Sequence, residues 1–181
     1  WQQLNSPSFR IIYQPGSESQ AQRVANTLEH VRSVESRGLK RAPKKLSVIL
    51  QSQSSIANGF VSLTPRRSEF YMMPPQDYNF LGSNEWLTML SVHEYRHVVQ
   101  FQQSITGFNK LFYYAFGPAT TAAMANISVP DWFWEGDAVA TETALTHSGR
   151  GRITNFNLMF RVNLLEGRKF NYEKQMLQSY K

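Results

Sequence analysis

The segment SVHEYRHVVQ (91–100) places two histidines four residues apart, with a glutamate directly after the first. Apolar residues recur around it at helical spacing, so residues 84–104 are predicted to form a helix. Positions i and i+4 of a helix lie on one face, and both imidazoles would therefore point in the same direction. Glu94 would lie about 100° round the helix from His93. The fold must therefore provide polar partners for two ring nitrogens and a neighbouring carboxylate.

The order of predicted elements is typical of an α+β fold. The first half is predicted to contain strands at 9–15 and 45–53, with a helix between them at 17–38 whose N-cap is Ser17 or Ser19. A β-hairpin follows at 58–75, with its turn at 64–67. The second half is predicted to contain five helices: 84–104, 109–126, 128–146, 155–166 and 171–180. The chain has 181 residues, of which 41% are hydrophobic, so we expect one domain over 1–181. Within it, 1–80 is predicted to be a small mixed sheet plus one helix, and 81–181 to be mainly helical.

Composition excludes several classes of site. The chain has no cysteine, which rules out disulfides, cysteine-based zinc fingers, iron–sulfur clusters and thiol nucleophiles. No apolar run approaches the roughly 20 residues that a membrane-spanning helix needs, so no transmembrane segment is predicted. The formal net charge is +6, and five cations lie in RGLKRAPKK (37–45). Because no nucleic-acid-binding motif accompanies them, we expect a solvated basic loop and no nucleic-acid partner.

His93 and His97 fit a zinc site. From one helical face their ring nitrogens can reach a common point about 2.0–2.1 Å away, which is the zinc–nitrogen distance. Glu94, beside that point, is where a base must stand to take a proton from a metal-bound water. The same pattern also arises by chance, and two histidines on an apolar face can be hydrogen-bonded core residues. The motif alone leaves both interpretations open.

A third ligand is predicted at Glu135, in the stretch PDWFWEGDAVATETA (130–144). The three aromatic residues before Glu135 are expected to anchor the first turn of the 128–146 helix in the core. A carboxylate in such packing is costly unless a positive charge neutralises it, and a zinc ion would do so. Gly136 is expected to let another helix approach closely, and Asp131 to cap the helix instead of binding metal.

Glu142 follows Glu135 by seven residues, two turns along the same helical face. Two interpretations of it are open. It either accepts the free N–H of a ligand histidine and so fixes its tautomer, or it is a solvent-facing carboxylate.

HEYRH and the W-x-x-E-G-x-A element at 132–138 together resemble the gluzincin metallopeptidases, the group that contains thermolysin-like and aminopeptidase-N-like enzymes. The aminopeptidase branch is more similar, because its third ligand sits in an N-E-G-F-A type stretch that a further glutamate follows after seven residues. The looser order of elements is similar to that of peptidase-MA-like domains, which are often found in larger bacterial envelope proteins. The resemblance implies a zincin-like fold, an extracytoplasmic location and additional domains in a longer protein. It also implies one Zn²⁺ per chain on His93, His97 and Glu135, with Glu94 as base and a peptide or protein as substrate.

Two features depart from that family pattern. Thirty-seven residues separate His97 from Glu135, a longer interval than in the best-known gluzincins. NGFVSLTP (58–65) has no acidic residue that would hold a substrate amino terminus. The family pattern also implies a Tyr or His, C-terminal to the third ligand, that donates a hydrogen bond to the oxyanion. The candidates for this donor are His147, Tyr172 and Tyr180, and no spacing rule selects one of them.

The second arm of the hairpin is predicted to be an edge strand to which substrate adds its own strand. Its residues are Ser68, Glu69, Phe70 and Tyr71. This expectation rests on position in the chain alone.

Three hypotheses for function follow. The first is hydrolysis of peptide bonds by a zinc-bound water that Glu94 activates. The second keeps the fold and the metal, in a degenerate or truncated peptidase-like domain that serves as a binding module. The third is a basic nucleic-acid-binding domain. Zinc content, and hydrolysis that is lost in Glu94→Gln with zinc still bound, would separate them.

Overall fold

The structure is a computed structural model that describes residues 1–39, 42–77, 81, 84–120, 123–124, 129–147 and 149–168. Its strands are β1 (Gln2–Asn5), β2 (Phe9–Tyr13), β3 (Leu46–Gln51), β4 (Gly59–Leu63) and β5 (Arg66–Tyr71). Its helices are α1 (Glu18–Glu35), α2 (Trp86–Ser104), α3 (Gly107–Phe116), α4 (Asp131–Leu145) and α5 (Leu158–Leu165). The fold class is α+β, with strands first and a helical half afterwards, as predicted.

The strands form one mixed sheet in the order β1-β2-β3-β5-β4. β2, β3 and β5 run parallel, while β1 and β4 pair antiparallel at the two edges. The parallel pair β2–β3 needs a crossover connection, and α1 supplies it. β1 was not predicted, because QQLN is polar and mostly exposed and so carries no alternating apolar signal.

The core lies between one face of the sheet and the helices α1 and α2. Alternate residues of β2 and β3, such as Ile11 and Val48, are buried because successive side chains of a strand point to opposite faces. On α1 the buried positions recur at helical spacing, including Val24 and Leu28. α2 packs against α1 and the β4–β5 hairpin on one side and against α4 on another. The motif HEYRH (93–97) therefore lies on a helix that packs firmly against the core.

The arms of the hairpin are placed differently from the expectation. β5 lies between β3 and β4, so its backbone is hydrogen-bonded on both sides. The hydroxyl of Ser68 is buried and donates to the backbone oxygen of Phe60 at 2.9 Å. The arm of the hairpin that lies at an edge of the sheet is β4. It was therefore wrong to expect an edge strand at Ser68, Glu69, Phe70 and Tyr71.

The predicted helices at 84–104, 109–126, 128–146 and 155–166 correspond to α2, α3, α4 and α5, with shifted ends. α2 begins at Trp86 because the Glu85 carboxylate caps it, accepting from the backbone N–H of Thr88 at 2.7 Å. α3 ends at Phe116 because Gly117 adopts a φ of 85°. The predicted helix 171–180 lies outside the described residues. Within the described ranges, no helix combines the length and the apolar character needed to cross a membrane.

Candidate metal centre

The packing of α2 on α4 brings together the three residues predicted to bind metal. Nε2 of His93 lies 3.2 Å from Oε2 of Glu135, and Nε2 of His97 lies 3.5 Å from Oε1 of the same carboxylate. The two imidazole rings are 5.0 Å apart at their centroids and almost perpendicular, at 83°. One ligand atom from each residue can be chosen so that all three lie within 4.8 Å of one another.

These separations fit a metal ion. Ligand distances of about 2.0–2.1 Å at tetrahedral angles imply donor–donor distances of about 3.4 Å. Both histidine–carboxylate distances are close to that value. Two imidazoles and one carboxylate also leave a coordination position open, which is a property of catalytic sites. The cluster of His93, His97 and Glu135 could therefore hold a metal ion.

Glu135 reaches the histidines from the surface of the protein. Its side chain is 61% exposed, whereas His93 is buried. Trp132 and Phe133 are both exposed, and only Trp134 of the three aromatic residues is partly buried. The expectation that these aromatics bury the first turn of α4, and the desolvation argument built on it, are therefore wrong, although Glu135 does face the histidines.

Two further expectations for the start of α4 are wrong. A Cβ on Gly136 would meet nothing within 4 Å, so none of the described helices approaches closely at that point. The N-cap of α4 is Pro130, which makes no side-chain cap hydrogen bond, and Asp131 is the first helical residue. Asp131 lines the cleft in which the histidines lie.

His93 is held at its other ring nitrogen by a buried pair of charges. Nδ1 of His93 lies 3.1 Å from Oε2 of Glu142, whose side chain is 0% exposed. Arg150 donates to both oxygens of that carboxylate, from Nε and Nη2 at 2.7 Å each, and its backbone N–H donates at 3.1 Å. Of the two interpretations of Glu142, the structure therefore favours the histidine partner over the solvent-facing carboxylate.

Glu142 and Arg150 approach the same ring nitrogen. Nη2 of Arg150 lies 2.6 Å from Nδ1 of His93. Whether Nδ1 accepts a hydrogen bond from Arg150 or donates one to Glu142 depends on which ring nitrogen carries the proton. A metal on Nε2 requires the proton on Nδ1, and of these two neighbours only Glu142 can accept it. Burial opposes a charge on His93, but hydrogen bonds with Glu135 and Glu142 outweigh it and raise the pKa of His93 to about 9. Glu142 therefore fixes the orientation of the ring, and Arg150 holds Glu142.

His97 is held by Gln100, one turn further along α2. The buried amide of Gln100 donates from its nitrogen to the backbone oxygen of Trp134 at 2.9 Å and to Oδ2 of Asp137 at 2.7 Å. Both of these atoms are acceptors, so the amide oxygen faces Nδ1 of His97 at 2.8 Å. The proton of His97 is then on Nδ1, and Nε2 keeps its lone pair for a ligand. Burial and the charge of His93 lower the pKa of His97, which favours the neutral imidazole that metal ligation needs.

Glu94 is buried beside the histidine pair and lines the same cleft. Burial raises the pKa of Glu94 to about 7, against the attraction of a charged His93. Gly59 on β4 lies next to it, because a Cβ at this position would be 3.1 Å from Oε1 of Glu94 and 2.6 Å from Cδ1 of Leu90. The backbone of β4 therefore packs so closely on α2 at Gly59 that there is no room for a side chain between the strand and the carboxylate.

Arg96 ties α2 to two other helices behind the site. Its Nε and Nη2 donate to the two oxygens of Asp137 on α4 at 2.7 and 3.1 Å, and its Nη1 lies 3.6 Å from Oε2 of Glu35 on α1. Neither oxygen of Glu35 has a hydrogen-bond partner among the described residues. Burial raises the pKa of Glu35 to about 7, despite the attraction of Arg96. This network helps to fix the packing of α4 on α2, and with it the approach of Glu135.

The three candidate ligands and Glu94 line a cleft of about 500 Å³ between β4, α2 and α4. Residues 59–61 of β4 form one of its walls. Among the described lining residues there is no tyrosine, and the exposed His147 is not one of them. Tyr172 and Tyr180 lie outside the described part of the chain. The oxyanion donor predicted from the resemblance therefore stays unassigned.

Gln100 and Arg150 were not identified from the sequence. Gln100 follows His97 by three residues on the same helix, so helical spacing is a signal that points to it. Arg150 comes from the 3₁₀ turn after α4, in the polar segment GRGR, and no spacing relates it to His93.

Comparison of the chain with protein family models, with curated proteins and with solved structures gives no match.

Proposed function

We propose that this chain is a zinc-dependent metallopeptidase of the gluzincin type. The observation that carries the proposal is the convergence of His93, His97 and Glu135 in a cleft that Glu94 also lines. The resemblance of HEYRH and of the W-x-x-E-G-x-A element to the gluzincins implies the same three ligands and the same base. A small mixed sheet whose edge hairpin packs on α2 supports a zincin-like interpretation of the fold.

Zinc is the metal that this ligand set favours. Two imidazole nitrogens and one carboxylate suit a borderline cation, whereas magnesium and calcium prefer oxygen ligands. Glu142 and Gln100 occupy the Nδ1 atoms of the two histidines and so leave both Nε2 atoms for the metal. Two histidines and a carboxylate also hold iron(II) in some oxygenases. The glutamate directly after the first histidine favours zinc hydrolysis over that alternative.

A zinc ion bound here would act as a Lewis acid on the peptide carbonyl and on the attacking water. Glu94 accepts the proton of that water and passes it to the leaving amine. The backbone of β4, the edge strand that borders the cleft, pairs with an extended peptide. Gly59 lets the backbone of β4 itself lie close to Glu94, so a peptide paired with β4 passes near that carboxylate.

Metal analysis and two variants test the proposal. We expect the purified chain to hold close to one zinc, measured by inductively coupled plasma mass spectrometry. Glu135→Ala is expected to lose most of the zinc, whereas the matched change Glu166→Ala, which removes an exposed glutamate paired with Arg168, is expected to keep it. Hydrolysis of an unstructured protein such as labelled casein should be detectable in the wild type. It should disappear in Glu94→Gln while zinc remains bound.

Other outcomes would support other hypotheses. Zinc bound without any hydrolysis by the wild type would favour a peptidase-like domain that serves as a binding module. Bound iron would contradict the choice of zinc, because the same three ligands also hold iron(II). Full zinc occupancy in Glu135→Ala would contradict the assignment of Glu135 as a ligand. Steeply salt-dependent binding to DNA or RNA that does not respond to metal would favour a nucleic-acid-binding domain.

A further inference from the structure

A second cavity of about 550 Å³ lies next to the metal cleft. Val61 and Phe101 line both, so the second cavity begins where the metal cleft ends. Its volume is within the range of about 300–1,000 Å³ that is usual for ligand sites. A ligand that extends out of the metal cleft along β4 would therefore enter it.

The lining of the second cavity is cationic. Lys44, Arg66 and Lys110 contribute to it, and no Asp or Glu is among its described lining residues. None of the three makes an ion pair within the described ranges. Nη1 of Arg66 donates only to the backbone oxygens of Lys44 and Lys45, at 3.0 and 3.1 Å. The cavity therefore carries positive charge that no carboxylate among the described residues balances.

The rest of the lining is largely apolar, with walls from β4, α2 and α3. Its apolar and aromatic members are Leu39, Ala42, Val61, Leu63, Val98, Phe101, Ile105, Tyr113, Tyr114 and Pro118. Charge complementarity and these walls together select a ligand with an anionic group next to an apolar one.

The edge strand connects the two cavities. Gly59 lines the metal cleft, Val61 lines both cavities and Leu63 lines the second. Because successive side chains of a strand alternate between its faces, these three positions share one face of β4. At about 3.4 Å per residue, Gly59 and Leu63 are separated by about 14 Å. A peptide paired with β4 would therefore reach the second cavity about four residues from the point where it passes Glu94.

We propose that the second cavity is a specificity pocket for an acidic side chain, flanked by apolar residues, of the peptide that lies along β4. The acidic residue is three to five positions from the scissile bond, and its carboxylate pairs with Lys44 and Lys110. This inference rests on the proposed peptidase function, because the peptide in the pocket is a substrate only if the chain hydrolyses peptides.

Cleavage of a library of proteome-derived peptides, analysed by mass spectrometry, tests the pocket. In the wild type we expect Asp and Glu to be enriched about tenfold at one offset, three to five residues from the cut, relative to their frequency in uncut peptides. The double variant Lys44→Glu with Lys110→Glu should lose that enrichment or replace it with Lys and Arg. Its matched control, Arg23→Glu with Arg161→Glu, makes the same charge change at exposed positions outside both cavities and should keep it.

A binding arm separates this inference from the proposed function. Immobilised Glu94→Gln protein, without turnover, should capture acidic–apolar peptides from the same library, and the Lys44/Lys110 reversal should abolish that selectivity. Selective capture without hydrolysis by the wild type would support a peptide-binding pocket and contradict the peptidase. Hydrolysis without acidic preference, or an equal change in both double variants, would overturn the pocket and leave the peptidase standing. Absence of both hydrolysis and selective capture would overturn the two together.

Discussion

Replacement of Gln100 by methionine tests whether the described hydrogen bonds prepare His97 for a metal. Methionine keeps the length of the side chain but has neither the amide donor nor the amide oxygen. The variant therefore loses the contact with Nδ1 of His97 at 2.8 Å, and those with the Trp134 backbone oxygen at 2.9 Å and Asp137 at 2.7 Å. The imidazole of His97 is then free to rotate and to take the tautomer with its proton on Nε2.

The expected size of the effect follows from these contacts. Loss of a hydrogen-bond partner behind a ligand histidine typically lowers metal affinity by about 10–100-fold, or about 1.4–2.7 kcal/mol. We expect the upper part of this range, because the backbone of Trp134, the residue before Glu135, is released in the same step. The free energy of unfolding should fall by about 1–3 kcal/mol, since Asp137 keeps its pair with Arg96 but the Trp134 carbonyl loses a partner.

The assay is a competition titration of zinc between the protein and a chromophoric chelator at neutral pH. It is carried out below the unfolding transition, with circular dichroism as the check that the variant is folded. Gln103→Met is the matched control, because it makes the same substitution at an exposed position of the same helix. We expect its zinc affinity to equal that of the wild type.

A zinc affinity for folded Gln100→Met within about threefold of the wild type would refute the reasoning. In that case His97→Ala shows which step failed. If His97→Ala also binds zinc normally, the histidine is not a ligand. If it does not, His97 ligates without help from Gln100. An equal loss in Gln103→Met would mean that the loss does not arise from the contact with His97.

Three further predictions concern stability. At low pH Glu35 is protonated in both the folded and the unfolded chain. As the pH rises, Glu35 loses its proton near pH 4.5 in the unfolded chain and near pH 7 in the folded chain. The free energy of unfolding therefore falls between those two pH values. In urea titrations Glu35→Gln should therefore gain about 2 kcal/mol over the wild type between about pH 5 and about pH 8, and a difference that does not vary with pH would contradict this. Gly149→Ala should lower the free energy of unfolding by about 1–3 kcal/mol, because its Cβ would overlap the backbone of α4. Gly136→Ala, which faces open space within the helix, should raise the free energy of unfolding by up to about 1 kcal/mol. Melting temperatures that shift in the same direction for both variants would refute these two predictions. Arg150→Met should cost about 3–5 kcal/mol in chemical denaturation because it leaves the Glu142 charge buried without its main partner, and a loss below about 1 kcal/mol would show that the pair does not matter for folding.

Some features of the site depend only on local backbone geometry and could therefore be predicted. The common direction of His93 and His97, and the position of Glu94 beside them, follow from the pitch of one helix. The core face of α1 follows in the same way from the spacing of residues such as Val24 and Leu28. These predictions need no knowledge of what the helices pack against.

The hairpin shows where such reasoning stops. Both arms carry a strand signal, and the sequence contains nothing that says which arm pairs with β3. That choice depends on a parallel pairing between residues far apart in the chain, such as Ser47 and Arg67. The predicted edge strand was therefore assigned to β5, whereas the arm of the hairpin at the edge of the sheet is β4.

The sequence by itself determined the α+β order of elements and the motif that carries two imidazoles and a carboxylate on one helix. Only the tertiary structure decided that Glu135 approaches them from an exposed turn, that Glu142 is buried with Arg150, and that Gln100 links His97 to α4. The physical reason is that these contacts join residues of different elements. Their distances depend on how α2 and α4 pack together, and no local pattern of residues encodes that packing.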